Sequence, residues 1–218
     1  MANFEKVYPN IKAGEGDYSD NPNDVGNYCG GKLIGTNHGI AATFYKGVLG
    51  RCPTVQEMKN LPPSEGKRLW KKAFWDKIDG DNVPSDALAE LYLYSTGGGN
   101  SGWLHIRQSA NKVAGKKLFD EIKAPLSFSQ MQTVNKLDGT KMYKQLSAIR
   151  QKFYENHSNK NFIKGWLNRL NSINQRFASE TAKVVNVAKE NPKSSIGIAL
   201  LLVGVGAYLL YRYKFKPN

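Results

Sequence analysis

From Ser64 to Phe177 apolar residues keep returning three or four positions apart, and that spacing commits most of this chain to α-helix. Leu69, Ala73, Phe74 and Ile78 form one stripe within "SEGKRLWKKAFWDKI", which Ser64 is expected to cap. "SDALAELYLYS" follows with Ser85 as its N-cap and ends in the glycine-rich turn "TGGGNSG". That turn is no phosphate loop, because it lacks the Gly-Lys-Ser/Thr ending. Further helices are expected from about Trp103, over 116–126, and over 130–157, where Met142, Leu146, Ile149 and Phe153 share a face. Phe162, Ile163, Trp166, Leu167, Leu170, Ile173 and Phe177 mark another, continued by a connecting helix from about Ser172 to Glu190. At the N-terminus Phe4, Val7, Tyr8 and Ile11 lie on one helical face, with Glu15 four residues further along it. Pro9 predicts a kink or a later start, and Gly14 and Gly16 release the backbone around Glu15. Strand signals are sparse. The expected fold class is mainly α, with at most one small hairpin in the opening stretch and no internal repeat.

Charge divides the chain. The net charge is +13, yet Met1 to Ser95 carries 11 Lys/Arg against 12 Asp/Glu and the remainder 20 against 6. No zinc spacing, helix-turn-helix pattern or aromatic RNA-binding motif accompanies the basic part, so no nucleic-acid partner is expected. Anionic membrane surfaces and anionic wall polymers attract Lys and Arg by the same physics. "SSIGIALLLVGVGAYLLY", residues 194–211, holds 18 residues without a charge before Arg212. Since roughly 20 apolar residues span a ~30 Å hydrocarbon core, a single transmembrane helix over 194–213 is expected, preceded by a linker helix over 175–193. Tyr208, Tyr211 and Tyr213 suit its interfacial end. "MANFEKVYPN" has no apolar signal-peptide core, so export is expected to use the tail, a holin-like pore or lysis.

The stretch "KAGEGDYSDNPNDVGNYCGGKLIGTNHGIAAT", residues 12–43, is too polar and glycine-rich for core. Hydrolysis of a glycosidic bond needs one carboxylic acid to protonate the leaving oxygen and a second polar group to hold water or stabilise the oxocarbenium-like state. Glu15, at the end of an apolar helical face, is placed for the first task. Asp24, nine residues on in an Asn- and Gly-rich loop, suits the second. Taken alone, Glu15 also reads as a solvated helix end and Asp24 as an Asx-turn former in "NPND". His38 has no Cys or second His beside it, so neither a metal nor a cofactor is expected. Cys29 and Cys52 are the only cysteines; a disulfide outside the cytoplasm and two free thiols are both compatible with the sequence.

"EGDYSDNPNDVG…GTNHGI" resembles the opening of glycoside hydrolase family 108, lysozyme-like N-acetylmuramidases of phages and bacteria. That opening runs Glu-Gly-Gly-Tyr, Asp-Pro-Gly-Gly, then Thr-Asn-x-Gly-Ile. The match holds at Glu15, Gly16, Tyr18, Asp24, Gly26, Thr36, Asn37, Gly39 and Ile40. "FWDKIDGDNVPSDALAELYLY" is similar to the family's Tyr-Trp-Asp segment and central helix. "IRQKFYENHSNKNFIKGWLNRLN" is similar to the Arg-x-x-Phe-Tyr and Phe-x-x-Gly-Trp-x-x-Arg signature of the peptidoglycan-binding region paired with it. The resemblance implies a lysozyme-like catalytic domain over 1–110 and a helical peptidoglycan-binding region over 111–174. It implies Glu15 as general acid, Asp24 and Thr36 as holders of the water, and Tyr18, Asn37, His38, Asn100 and Trp166 as substrate-binding residues. Peptidoglycan is then the substrate, with a holin or phage-particle components as further partners, and the membrane-anchored enzyme acts on the wall side of the membrane.

Four features depart from the family pattern: Asp17 for the second glycine, Val25 for proline, an insertion of about nine residues, "NYCGGKLIG", and Tyr92 and Thr96 where Asp and Asn are common. They keep two alternatives open, a catalytically degenerate wall-binding or structural protein and a chitinase-like glycosidase.

Overall fold

The structure is a computed structural model and describes residues 1–97, 99–158 and 160–190; of residues 14, 15, 160–162 and 185–190 it describes the backbone only. Met1–Leu170 form one compact unit, and a second begins at Asn171. Helix α1 (Phe4–Glu15) opens the chain, capped by the Asn3 side chain on the Glu5 N–H and carrying Pro9 within it. Two antiparallel hairpins follow: β1 (Tyr28–Cys29) with β2 (Lys32–Leu33), and β3 (Thr36–Asn37) with β4 (Ile40–Ala41). Seven helices precede the described end of the first unit: α2 (Ala42–Leu49), α3 (Val55–Lys59), α4 (Pro63–Trp70), α5 (Asp86–Gly97), α6 (Asn100–Ala114), α7 (Phe128–Asn135) and α8 (Gly139–Glu155). A π-helical turn, Lys71–Trp75, and short 3₁₀ turns link α4 to α5. Helix α9 (Lys160–Glu190) starts in the first unit, and its residues 171–190 are the described part of the second.

Helix α5 is the axis of the core. Ala87 through Leu93 are buried without a break, so this helix has no solvent face; such a helix must be covered on all sides, and α1, α6 and α8 cover it. The approach of α5 to α6 is close enough that a Cβ on Gly102 would lie 1.8 Å from the Ser95 carbonyl oxygen, which requires glycine there. Ser85 caps α5 through the Leu88 N–H at 3.2 Å, as the sequence predicts.

Several expected boundaries are corrected. Two hairpins form instead of at most one. Pro62 rather than Ser64 caps α4, with Pro63 at the first helical position, where a missing N–H costs nothing. The helix expected from Trp103 begins at Asn100. Residues 116–126 are irregular because side chains take the backbone groups a helix would use. Asn111 Oδ1 accepts from the Leu118 and Phe119 N–H groups, and the buried Arg107 donates to the carbonyls of Asp120, Ala124 and Pro125. The span 130–157 is two helices, since the Asp138 side chain caps a new start at the Lys141 N–H.

The membrane-anchored architecture is also corrected: no helix among the described residues is long and apolar enough to cross a membrane. The longest, α9, carries Lys164, Arg169, Arg176, Glu180 and Lys183 along its 31 residues. The segment 194–213, on which the membrane expectation rested, lies outside the described residues.

Between α6 and α8 sits a buried polar cluster. Arg150, 3% exposed, donates to the Tyr154 hydroxyl and to His105 Nδ1, and its guanidinium lies over the Phe153 and Tyr154 rings. Arginine only donates, so His105 is the tautomer with Nδ1 as acceptor. Burial, with Arg150 and Lys123 nearby, pushes the imidazole down to about 4. In the unfolded chain it titrates near 6.5, so between these values the unfolded state binds more protons and stability falls as pH drops through the window. The melting temperature is therefore expected to be lower at pH 5 than at pH 7. In His105→Gln, which keeps an acceptor for Arg150 and does not titrate, that difference should shrink; an unchanged difference, followed by calorimetry, would assign it to other groups.

Candidate active site

Glu15 is the last residue of α1, where Gly16 leaves the helix with φ 69° and its N–H closes on the Lys12 carbonyl at 3.2 Å. The chain then turns back. Ser19 and Thr36 exchange backbone hydrogen bonds, each 2.8 Å, so the segment just beyond Glu15 pairs with the start of β3. The helix end at Glu15 and the Thr36 strand, 21 residues later, thus belong to one lobe.

The loop between them is held by short-range polar contacts. Asp24 is exposed, and its Oδ1 accepts from the Gly26 N–H at 2.9 Å, capping the 3₁₀ turn Val25–Asn27. This is the Asx geometry that "NPND" suggests, and it engages one carboxylate oxygen only. Asn27 is 1% exposed despite its place in a polar loop. Its Nδ2 donates to the Asn21 carbonyl at 3.0 Å, its Oδ1 accepts from the Thr36 hydroxyl, and its carbonyl accepts from the Ile34 and Gly35 N–H groups. Sequence reasoning missed this residue; nothing but the polarity of Asn marks it, because its importance comes from burial.

The stretch inserted relative to the family pattern builds the first hairpin. Cys29 and Cys52 form a disulfide, with Cα atoms 5.7 Å apart, tying β1 to the chain beyond α2. Around it Cys29, Ile34, Ala42 and Met58 make a small core, against which Tyr18 and Tyr45 pack. Tyr18 donates its hydroxyl to the Ile34 carbonyl at 2.9 Å, and Lys59 Nζ lies 5.1 Å from its ring centre. Gly35 allows this fit: at φ +103° it occupies backbone space that side chains avoid, and a Cβ there would sit 2.7 Å from the Tyr18 ring. Gly35→Ala is expected to cost about 1–3 kcal/mol, measured by urea unfolding; an unchanged midpoint would show that the loop has another arrangement.

Asn37, 4% exposed, donates to the carbonyls of Met58 and Lys59 at the end of α3. His38 is 8% exposed with φ 51°; its carbonyl accepts from Trp70 Nε1, its ring packs on Gly66, and Nδ1 lies 3.9 Å from Asp17 Oδ1. Asn100 is exposed in the first turn of α6. Trp166 on α9 belongs to a ring cluster with Tyr154 and His157, centroids 5.3 and 4.9 Å away, the His157 ring meeting it edge-on. Glu15, Tyr18, Asp24, Thr36, Asn37 and His38 therefore share one lobe, whereas Asn100 and Trp166 come from other elements. Of the departures, Tyr92 is wholly buried and burial pushes its phenol up, while Thr96 Oγ1 bonds back to the Tyr92 carbonyl at 3.0 Å. A cleft of about 730 Å³ lined by Gln108, Lys112, Lys116 and Gln145 lies elsewhere, and none of the predicted site residues borders it.

The family model described as Glycosyl hydrolase 108 matches residues 8–94, from within α1 to within α5, and so takes in the whole lobe. No curated protein matches the sequence. Among solved structures the chain is similar to that of Brucella abortus SagA, at 23% identity and a TM-score of 0.60, covering 81% of this chain and 94% of that one. At that identity the likeness is one of fold. None of these findings bears on the expected holin or phage-particle partners.

Proposed function

Residues 8–94 form a glycosyl hydrolase 108 domain, and from that premise we propose that this glycoside hydrolase is a lysozyme, cleaving the β-1,4 bond between N-acetylmuramic acid and N-acetylglucosamine. Hydrolysis of peptidoglycan is the activity at family level; the bond and the residue roles are our reading. Glu15 protonates the glycosidic oxygen as the bond breaks. Asp24 and Thr36 hold the attacking water, Asp24 through the oxygen that has no hydrogen-bond partner among the described residues. The observation that carries this reading is the Ser19–Thr36 pairing, which folds the acid's helix end, the carboxylate loop and the hydroxyl into one lobe. Asn37 and His38 support that lobe from beneath, through the end of α3 and the face of α4. The more basic helical region beyond α5 serves to hold the anionic wall polymer. The disulfide fits a protein acting in an oxidising compartment outside the cytoplasm.

One observation favours a second reading: Tyr92, where the family commonly has an acid, is buried in the core, so a contact to substrate is missing there and a wall-binding protein without activity would tolerate that loss. Purified peptidoglycan separates the readings. A lysozyme releases fragments with N-acetylmuramic acid at the new reducing end, identified by borohydride reduction and mass spectrometry. Fragments ending in N-acetylglucosamine would replace the lysozyme reading by a chitinase-like cleavage, and binding without new reducing ends would establish the inactive one.

A further inference from the structure

We propose that Asn27 is a positioning residue for this hydrolysis: its amide fixes the Thr36 hydroxyl as a hydrogen-bond acceptor for the attacking water. The inference rests on the reading of Thr36 as a holder of that water.

Asn27 can face Thr36 in one way only. Its Nδ2 donates to the Asn21 carbonyl, and a carbonyl cannot donate in return, so the amide is not free to flip. Oδ1 is thereby turned toward Thr36 and receives its proton. A hydroxyl has one proton and two lone pairs. With the proton committed to Asn27, Thr36 meets water only as an acceptor.

That polarity matters for the reaction. In a direct displacement the water oxygen forms the bond to the anomeric carbon with one of its lone pairs, and the bond to the glycosidic oxygen breaks. The Glu15 proton goes to that leaving oxygen, and a water proton goes to the Asp24 carboxylate. A water that gives its two protons to Asp24 and Thr36 keeps its lone pairs for the attack. If Thr36 were free to rotate, its hydroxyl could instead donate to the water, which would engage one of the water's lone pairs and leave one of its protons without that acceptor. Asn27 prevents this rotation. It is the first residue of the inserted stretch, and the same residue binds the Asp24 carbonyl through its N–H at 3.0 Å. The disulfide begins two residues later at Cys29, so the device is anchored on both sides.

A double-mutant cycle tests it, using Asn27→Ala, Thr36→Val and the pair in the full chain, with kcat and KM measured on soluble uncrosslinked glycan. Each single change should lower kcat by about tenfold, the worth of roughly one well-made hydrogen bond, with KM within about twofold. Because the two residues act through one hydroxyl, the pair should be no worse than Thr36→Val by more than about threefold. Losses that multiply, or a loss confined to KM, would show Asn27 to be structural only. If Asn27→Ala does not fold, Asn27→Asp, which keeps an acceptor toward Thr36, carries the test: kcat within about threefold of wild type supports the proposal, and a loss as large as that of Thr36→Val overturns it. Failure of the functional reading looks different. A wild-type chain that releases no reducing ends removes the premise, whereas multiplying losses in an active enzyme remove the role of Asn27 alone.

Discussion

Glu15→Gln is expected to lower the rate of reducing-end release from peptidoglycan by about 10²–10⁴-fold, the usual contribution of general acid catalysis. The amide matches the carboxylic acid in size but has no proton to give the glycosidic oxygen, which must leave as an alkoxide without it. Because Glu15 ends α1 and the Gly16 turn that follows is made by backbone groups, the substitution leaves the melting temperature near that of wild type. Asp24→Asn is the informative companion. An asparagine oxygen still accepts from the Gly26 N–H, so the turn survives while the charge toward the water is lost, and the rate falls by less than in Glu15→Gln. Should Glu15→Gln keep a rate within about threefold of wild type, the proton donor is another residue and the chemistry proposed for this lobe is wrong.

Removing the disulfide should produce the largest change in stability. The bond joins residues 23 positions apart in the sequence, and the loop-closure entropy taken from the unfolded chain corresponds to about 3 kcal/mol. For a chain of this size each kcal/mol moves the melting temperature by roughly 2–4 °C. Cys29→Ser/Cys52→Ser, or wild type under dithiothreitol, should therefore melt roughly 6–12 °C lower. Activity well below the transition should fall as well, because the hairpin released is the one that carries Asn27. A shift under about 2 °C would mean that the small core of Ile34, Ala42, Met58 and Tyr18 holds the hairpin unaided.

Much of this architecture was legible in the residues. The three-to-four spacing of apolar side chains placed α1 and α8, and Ser85 announced the start of α5, because helix periodicity and capping are local properties. The motif that runs from Glu15 through Asp24 to Thr36 pointed to the family that the match over residues 8–94 supports. The failures have a common origin. Residues 116–126 read as helix by composition, yet Asn111 and Arg107, from a neighbouring helix, claim their backbone groups. Local patterning likewise gives no sign that Arg150 and Tyr154 are buried, or that Arg150 reaches His105 on α6.

What the sequence determined by itself was the helical class, the order of the chemistry-bearing residues and the presence of two cysteines close to them. Whether those cysteines pair depends on the distance between two loops, a quantity no local pattern encodes. Only the tertiary structure decided that they do, that the inserted residues form a hairpin of their own, and that Asn27 is drawn inside to meet the Thr36 hydroxyl. The reason is physical: an exposed Asn and a buried Asn have the same local sequence propensities, and it is burial among fixed donors and acceptors that forces the amide of Asn27 into a single orientation.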